Sequence, residues 1–190
     1  HKICEGNIYG DKHVLKCIGG TAGFTNGAVD SALFKKPSFI AFSNDGNYLL
    51  VTDEENHCVR KITRPPGSDK NILEDSYSQV ETVAGVCGSL SVSHMNKFKV
   101  PKGISIHPSG LYFLVVDSGS RQIKKVSLKD TNTWNSTSRT ISVMSGSGIH
   151  GYREGHGYHS KFNDLYDVDI DLTGTFALVT DKGNCEVRKI

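Results

Sequence analysis

Long apolar runs are missing from this 190-residue chain. Without a stretch of about 18 apolar residues it offers no membrane-spanning helix, and no charged-then-apolar segment opens it as a secretion signal would. The first residue is His1 rather than Met, so a leader could have been removed or never included. An excess of charge is missing too. Twenty-two basic against 20 acidic residues leave a net charge of +2, too little for a protein-wide field that would draw in nucleic acid. The five cysteines show no CxxC spacing, which leaves a zinc framework unsupported. Catalytic signatures are equally scarce: there is no Gly-x-Ser-x-Gly elbow, no His-Glu-x-x-His pair and no phosphate-cradling glycine loop ahead of a helix. Glycine is plentiful, with 20 residues against five prolines, a balance that suits a soluble protein of hairpin turns.

The main feature is a repeat. Phe34, Phe98 and Phe162 are spaced by 64 residues, and Gly46, Gly110 and Gly174 keep the same interval, as do Asp53, Asp117 and Asp181. Ile62, Val126 and Ile190 close the pattern in register. Self-similarity at fixed period implies supersecondary units that bury their apolar faces against one another.

Each copy reads as three strands and two turns. Residues 39–42 and 48–52 are apolar and β-branched runs too short for helices and bounded by turn formers. Asn44-Asp45-Gly46-Asn47 is the first turn, where Gly46 supplies positive φ. Residues 53–56 form the second turn, with Asp53 expected to accept backbone N–H groups as in an Asx-turn. Residues 58–62 are the third strand. A fourth strand is expected at 14–18, 80–84 and 140–144, each running into a glycine: Gly19, Gly85 and Gly146. Four short antiparallel strands per unit, stacked unit on unit, make an all-β fold, a β-propeller with three blade equivalents. The boundaries are a strand and connector at 1–19, repeat one at 20–84, repeat two at 85–145 and repeat three at 146–190. The 64-residue period exceeds the roughly 40–50 of common blades, and the surplus sits in the connections.

These residues resemble the NHL repeat family: a glycine-rich lead, a small residue and Phe, Pro, a strand, Gly, a strand ending in Asp, Asn-His, then an Ile/Val-Arg-Lys-Ile strand. Repeat one matches through Ala32, Phe34, Pro37, Gly46, Asp53, Asn56, His57, Val59, Arg60, Lys61 and Ile62. Repeat two keeps Phe98, Pro101, Gly103, Gly110, Asp117 and Ile123-Lys124-Lys125-Val126, but has Ser120-Arg121 for Asn-His. Repeat three has Leu165 where Pro is expected and Asn184-Cys185 for Asn-His. The resemblance covers the chain from about Val14 onward and implies a propeller. It implies no activity, because one fold hosts many functions.

Phe34, Phe98 and Phe162 are expected at equivalent buried positions between blades. His1-Lys2-Ile3 compares with Arg60-Lys61-Ile62 as the tail of another third strand, so the chain would begin inside a blade. Residues 14–18 would then be a fourth strand without a blade, and residues 186–190 a third strand without a fourth. Two chains could complete each other as a six-bladed homodimer by exchanging edge strands. Cys4 and Cys17 flank a hairpin and could pair in an oxidising compartment; the other reading is free thiols on or inside strands, with Cys58, Cys87 and Cys185. Asn135-Ser136-Thr137 is an N-glycosylation acceptor in a loop-like tract.

In a four-stranded blade the first and third connections open on one face and the others on the opposite face. The first face carries two long polar loops, 63–79 and 128–139, readable as binding loops on a rigid scaffold or as plain insertions. On the other face the lead of repeat three gathers His150, His156 and His159, three imidazoles able to ligate zinc, although a glycine-rich lead belongs to every copy. Asp167, Asp169 and Asp171 alternate along one strand, and period-two geometry puts them on one side. Calcium or pairing with the basic second repeat would offset their repulsion. The scaffold reading is preferred for both clusters, and neither a metal nor a cofactor is expected.

With no catalytic residues identified, the leading reading is a non-enzymatic propeller that acts as a protein-protein interaction scaffold and meets its partner through the loop face. The alternatives follow from the family resemblance. One is an enzyme similar to the propeller amidating lyase, with a metal in the central channel. The other is an RNA-binding NHL domain, disfavoured by the near-neutral charge.

Overall fold

The β-branched runs and turn residues of each repeat fold as antiparallel strands in a computed structural model that describes residues 1–6, 16–89, 97–128 and 140–190. Ahead of repeat one, β1 (Lys2–Glu5) and β2 (Lys16–Gly19) pair as a two-stranded sheet. Repeat one supplies β3 (Gly27–Ala28), β4 (Pro37–Phe42), β5 (Tyr48–Asp53), β6 (Cys58–Thr63) and β7 (Gln79–Gly85). Repeat two supplies β8 (Pro101–Ile106), β9 (Tyr112–Asp117), β10 (Gln122–Ser127) and β11 (Ile141–Ser145). Repeat three supplies β12 (Leu165–Ile170), β13 (Ala177–Asp181) and β14 (Glu186–Lys189). Apart from three-residue 3-10 turns, no helix occurs among the described residues. The first strands β4, β8 and β12 lie side by side, and their sheets run outward in sequence order, with the short lead strand β3 outermost in repeat one. These are the blades of a β-propeller. Residues 14, 15 and 131–138, with Asn135, lie outside the described residues.

Period-two alternation decides which gap each side chain fills. Leu49 and Val51 face the gap toward the β1-β2 sheet, whereas Leu50 faces repeat two. Phe113 and Val115 face repeat one, and Leu114 and Val116 face repeat three. Phe34, Phe98 and Phe162 are 0, 2 and 1% exposed, one in each of the three core clusters.

The inner strand of every repeat carries the same irregularity, a register shift between Pro37 and Ile40, Pro101 and Ile104, and Leu165 and Val168. A proline suits such a bulge because it has no N–H to leave unpaired. Leu165 keeps the geometry without proline, so repeat three departs from the family sequence and not from its backbone. Repeat one departs in another way, since two lead residues, Gly27 and Ala28, pair with Val80 and Gln79 as a fifth strand.

The pairing of β1 with β2 corrects the reading of the N-terminal residues. Gly19, Gly85 and Gly146 all have positive φ, and a Cβ on them would collide with the carbonyl oxygens of His1, His57 and Arg121 respectively. His1 therefore stands level with His57, and Lys2-Ile3-Cys4 with Cys58-Val59-Arg60, three positions from the alignment with Arg60-Lys61-Ile62. The lead glycine, which must approach that carbonyl, fixes the register more firmly than the short Lys-Ile match. β2 accordingly has a partner strand within the chain.

Four of the five thiols are joined. Cys4–Cys17 links β1 to β2, and Cys58–Cys87 ties β6 to the lead of repeat two; Cys185 is free and exposed. Short strand-to-strand distances, invisible to a search for CxxC spacing, bring these thiols together. The second bridge closes the longer loop, with separations of 29 and 13 residues. Loop-closure entropy thus predicts that Cys58→Ser/Cys87→Ser costs more than Cys4→Ser/Cys17→Ser, roughly 3.6 against 2.9 kcal/mol. Denaturant midpoints of the two double variants check the order.

The turns between first and second strands link neighbouring repeats. Asn44 donates through Nδ2 to the Pro108 carbonyl at 2.5 Å, and His107 through Nε2 to that of Gly174 at 3.2 Å. Within them, Asp45 accepts from Ser43 Oγ at 2.6 Å, and that bond leads in holding its carboxyl down to about 2. Asp171 is likewise lowered to about 2, mainly by the Thr173 hydroxyl.

Candidate functional site

The most concentrated charge chemistry in the chain lies inside the blades. Asp53 does not close its own turn. Its Oδ1 accepts the Lys35 N–H at 2.7 Å, while Oδ2 accepts Asn56 Nδ2 at 2.7 Å and Arg60 Nη1 at 3.1 Å. The Asx-turn expectation fails because the carboxylate points across the sheet to a donor 18 residues away. Repeat two copies the arrangement with Lys99 N, Ser120 and Lys124 on Asp117, and repeat three with Asn163 N, Asn184 and Arg188 on Asp181. The cation also binds the carbonyls of the lead, Leu33 and Thr25 for Arg60 and Lys161 and Arg153 for Arg188. It lies over the repeat phenylalanine as well, 5.0 Å from Phe34, 5.4 Å from Phe98 and 4.4 Å from Phe162. Burial pushes the Asp53 carboxyl up and the Arg60 guanidinium down, against the attraction between them. The next residue points to the opposite face, where Lys61, Lys125 and Lys189 lie over Tyr48, Tyr112 and Phe176. The Arg-Lys dipeptide thus staples the glycine-rich lead with one residue and covers an aromatic ring with the other.

The metal candidates are not assembled into one set. His150, His156 and His159 are all exposed on the lead of repeat three, and no group of three or more His, Cys, Asp or Glu able to hold a metal occurs among the described residues. Asp171 lies beyond β12 and is occupied by Thr173 and Phe176. Asp169 accepts from Ser105 of repeat two at 3.1 Å. Asp167 falls at the bulge and bonds the Val168 N–H at 2.8 Å, and burial raises its carboxyl. The bulge interrupts the alternation at Asp167, while Asp169 stays near enough for its charge to help raise the Asp167 carboxyl. The cross-repeat ion pair of this region runs instead from Lys102 to Asp164, at 3.7 Å. Lys102 also lies 5.0 Å from the Tyr166 ring, which meets Phe39 edge-on at 5.3 Å across the inner strands.

On the loop face, residues 63–79 form an ordered structure. Ile72 and Leu73 are buried in the first core cluster, and the Leu73 N–H donates to Glu5 at 3.2 Å. The Tyr77 N–H donates to Asp75 at 2.9 Å, and Arg64 donates through Nη2 to Asn47 Oδ1 at 3.1 Å. These anchors hold open a cavity of about 380 Å³ lined by Lys61, Arg64, Pro65, Pro66, Tyr77 and Glu81. Tyr77 is 77% exposed at its edge. Composition marked this tract as polar and turn-rich; the signal that could have found the cavity is a pair of apolar residues, Ile72 and Leu73, within it.

Comparison with known proteins agrees with this architecture. Residues 34–62 match the NHL repeat family. No curated protein matches the chain in sequence. Among solved structures, a structural-genomics protein of unknown function from Bacteroides thetaiotaomicron superposes with a TM-score of 0.68 at 16% identity, over 98% of this chain and 41% of that one. An auxiliary nutrient binding protein from Bacteroides ovatus gives 0.62 at 17% identity, over 83% and 38%. The β-propeller domain of Myceliophteria thermophila Cps50 (Swd1) gives 0.51 at 7% identity, over 98% and 62%. The chain thus spans about two fifths of the Bacteroides structures. Residues 34–62 are an NHL repeat, and the chain that carries them has the fold of part of a β-propeller.

Proposed function

We propose that the chain is a non-enzymatic propeller module, a protein-protein interaction scaffold whose loop-face cavity receives a protein partner. The observation that carries this reading is the ordered cavity itself, where an exposed Tyr77 stands beside Arg64 and the Pro65-Pro66 wall. Tyrosine and arginine are the residue types over-represented in interface cores, and an anchored loop loses little entropy when a partner docks. The buried Asp-cation sets support the non-enzymatic reading, because their bonding capacity is directed at the protein's own backbone. At the inner strands, where a channel metal would need ligands, Phe39, Lys102 and Tyr166 meet one another.

A photo-crosslinking residue in place of Tyr77 is expected to capture a discrete protein from the native source. The same residue in place of Tyr158, on the opposite face, should not capture it. Equal capture from both positions, or none from position 77, overturns the assignment.

A further inference from the structure

We propose that the loop-face cavity recognises an acidic side chain of its partner, an aspartate or glutamate next to a proline or an aromatic residue, with Arg64 as the group that binds the carboxylate. The inference rests on the protein-partner reading of this cavity and adds the chemistry by which the partner is chosen.

The charges around the cavity are unequally matched. Lys61, whose side chain is 4% exposed, has Glu81 at 3.9 Å and lies over the Tyr48 ring at 4.7 Å. That pair of opposite charges is balanced within the blade. Arg64 donates through Nη2 to Asn47 Oδ1 at 3.1 Å, and its Nη1 has a long contact of 3.5 Å to the Lys70 carbonyl. Both acceptors are neutral, and among the described residues Arg64 takes part in no ion pair. The carboxylates of the adjoining turns are engaged elsewhere. Asp75 accepts the Ser68 hydroxyl at 2.5 Å and the Tyr77 N–H at 2.9 Å, and the Ser68 hydroxyl does more than the charge of Arg64 to lower its carboxyl. Asp45 accepts the Ser43 hydroxyl and both nitrogens of Asn47. A guanidinium served by neutral oxygens alone keeps N–H donors for a carboxylate, which it can hold through two parallel bonds.

The cation is also positioned before a partner arrives. The Arg64 N–H donates to the Asn47 carbonyl at 3.0 Å. Asn47 Nδ2 in turn donates to Asp45 Oδ2 at 2.8 Å, an arrangement that leaves the Asn47 amide oxygen for Arg64. Around this charge the lining is largely apolar, with Pro65 and Pro66 on one side and the exposed ring of Tyr77 on another. Proline has no N–H to donate, so that wall suits an apolar neighbour of the acid. A cavity of about 380 Å³ suits a few inserted side chains. One unmatched cation fits a single carboxylate better than nucleic acid, whose backbone takes a row of cations.

Random short peptides displayed on phage are selected on the full chain with its disulfides intact, and the peptides recovered are synthesised. The expected result is enrichment of Asp or Glu beside proline or an aromatic residue, with affinity falling roughly tenfold when that acid is replaced by lysine. Arg64→Glu should weaken the acidic peptide by a similar factor and bind the lysine peptide in its place, a charge exchange that a merely structural role for Arg64 would not give. Arg64→Gln removes the charge without reversing it and should weaken the acidic peptide roughly threefold with an unchanged urea midpoint. No peptide recovered, no enrichment of acids, or equal affinity of the acidic and lysine peptides overturns the proposal. Saturable binding of oligouridylate that is lost in Arg64→Gln also overturns it, by making a nucleic-acid phosphate the occupant. Crosslinking from position 77 that persists unchanged in Arg64→Glu overturns it as well, while leaving the protein-partner reading in place.

Discussion

Asp53→Ala is expected to lower the unfolding free energy by about 3–5 kcal/mol, the range for removing one partner of a buried ion pair. Asp53 and Arg60 have fully buried side chains 3.1 Å apart. Removing the carboxylate leaves the guanidinium charge unpaired in the interior and deprives the Lys35 N–H of its acceptor, while Asn56 keeps only the Gly23 carbonyl. Arg60 would keep its bonds to the Leu33 and Thr25 carbonyls, but these neutral acceptors do not balance its charge, and its buried Nε has no hydrogen-bond partner. The pair itself contributes less than its breakage costs, since attraction is offset by desolvation. Asp53→Ala combined with Arg60→Met should therefore cost less than the sum of the two single changes by at least about 1 kcal/mol. Urea unfolding of the three variants measures the coupling. Strict additivity would show that the two side chains act independently.

Phe98→Ala should cost a similar amount, about 3–5 kcal/mol, through the lost transfer energy of the ring and the cavity left behind. The ring is 2% exposed and packs among Val59, Leu50, Val115 and neighbours from two repeats, which limits how far either side can collapse into the space. Lys124 would lose the aromatic face beneath its ammonium as well. Leu172→Ala is the matched control, because Leu172 is 95% exposed on a turn and an exposed change should stay within about 0.5 kcal/mol. Chemical denaturation showing comparable losses for the two would refute the placement of Phe98 at the heart of an inter-blade core.

The blade was legible in the sequence because its determinants are local and periodic. Gly46, Gly110 and Gly174 mark turns with φ of 67, 68 and 72°, and runs such as residues 48–52 can only alternate between two faces. Pairings across sequence were harder to see. Asp53 bonds a backbone group 18 residues back, a direction that no turn rule supplies, although the matching cations Arg60, Lys124 and Arg188 at the repeat interval could have suggested a buried partner. Cys58 meets Cys87 because a lead glycine carries the chain back over the third strand, a step without a spacing signature. The three carboxylates of repeat three illustrate the converse. Their regular alternation is interrupted by a bulge that sequence alone did not reveal at Leu165, where proline is absent.

The links between repeats have a kinetic consequence. Asn44 reaches Pro108, His57 donates through Nδ1 to the Lys99 carbonyl, and Ser105 reaches Asp169, so each of these contacts spans about one repeat of sequence or less. The chain can then gain order one unit at a time, each new blade condensing on its predecessor without waiting for distant segments to meet. Stability accumulates as nearest-neighbour increments, and damage at one junction is felt most by the units on either side of it.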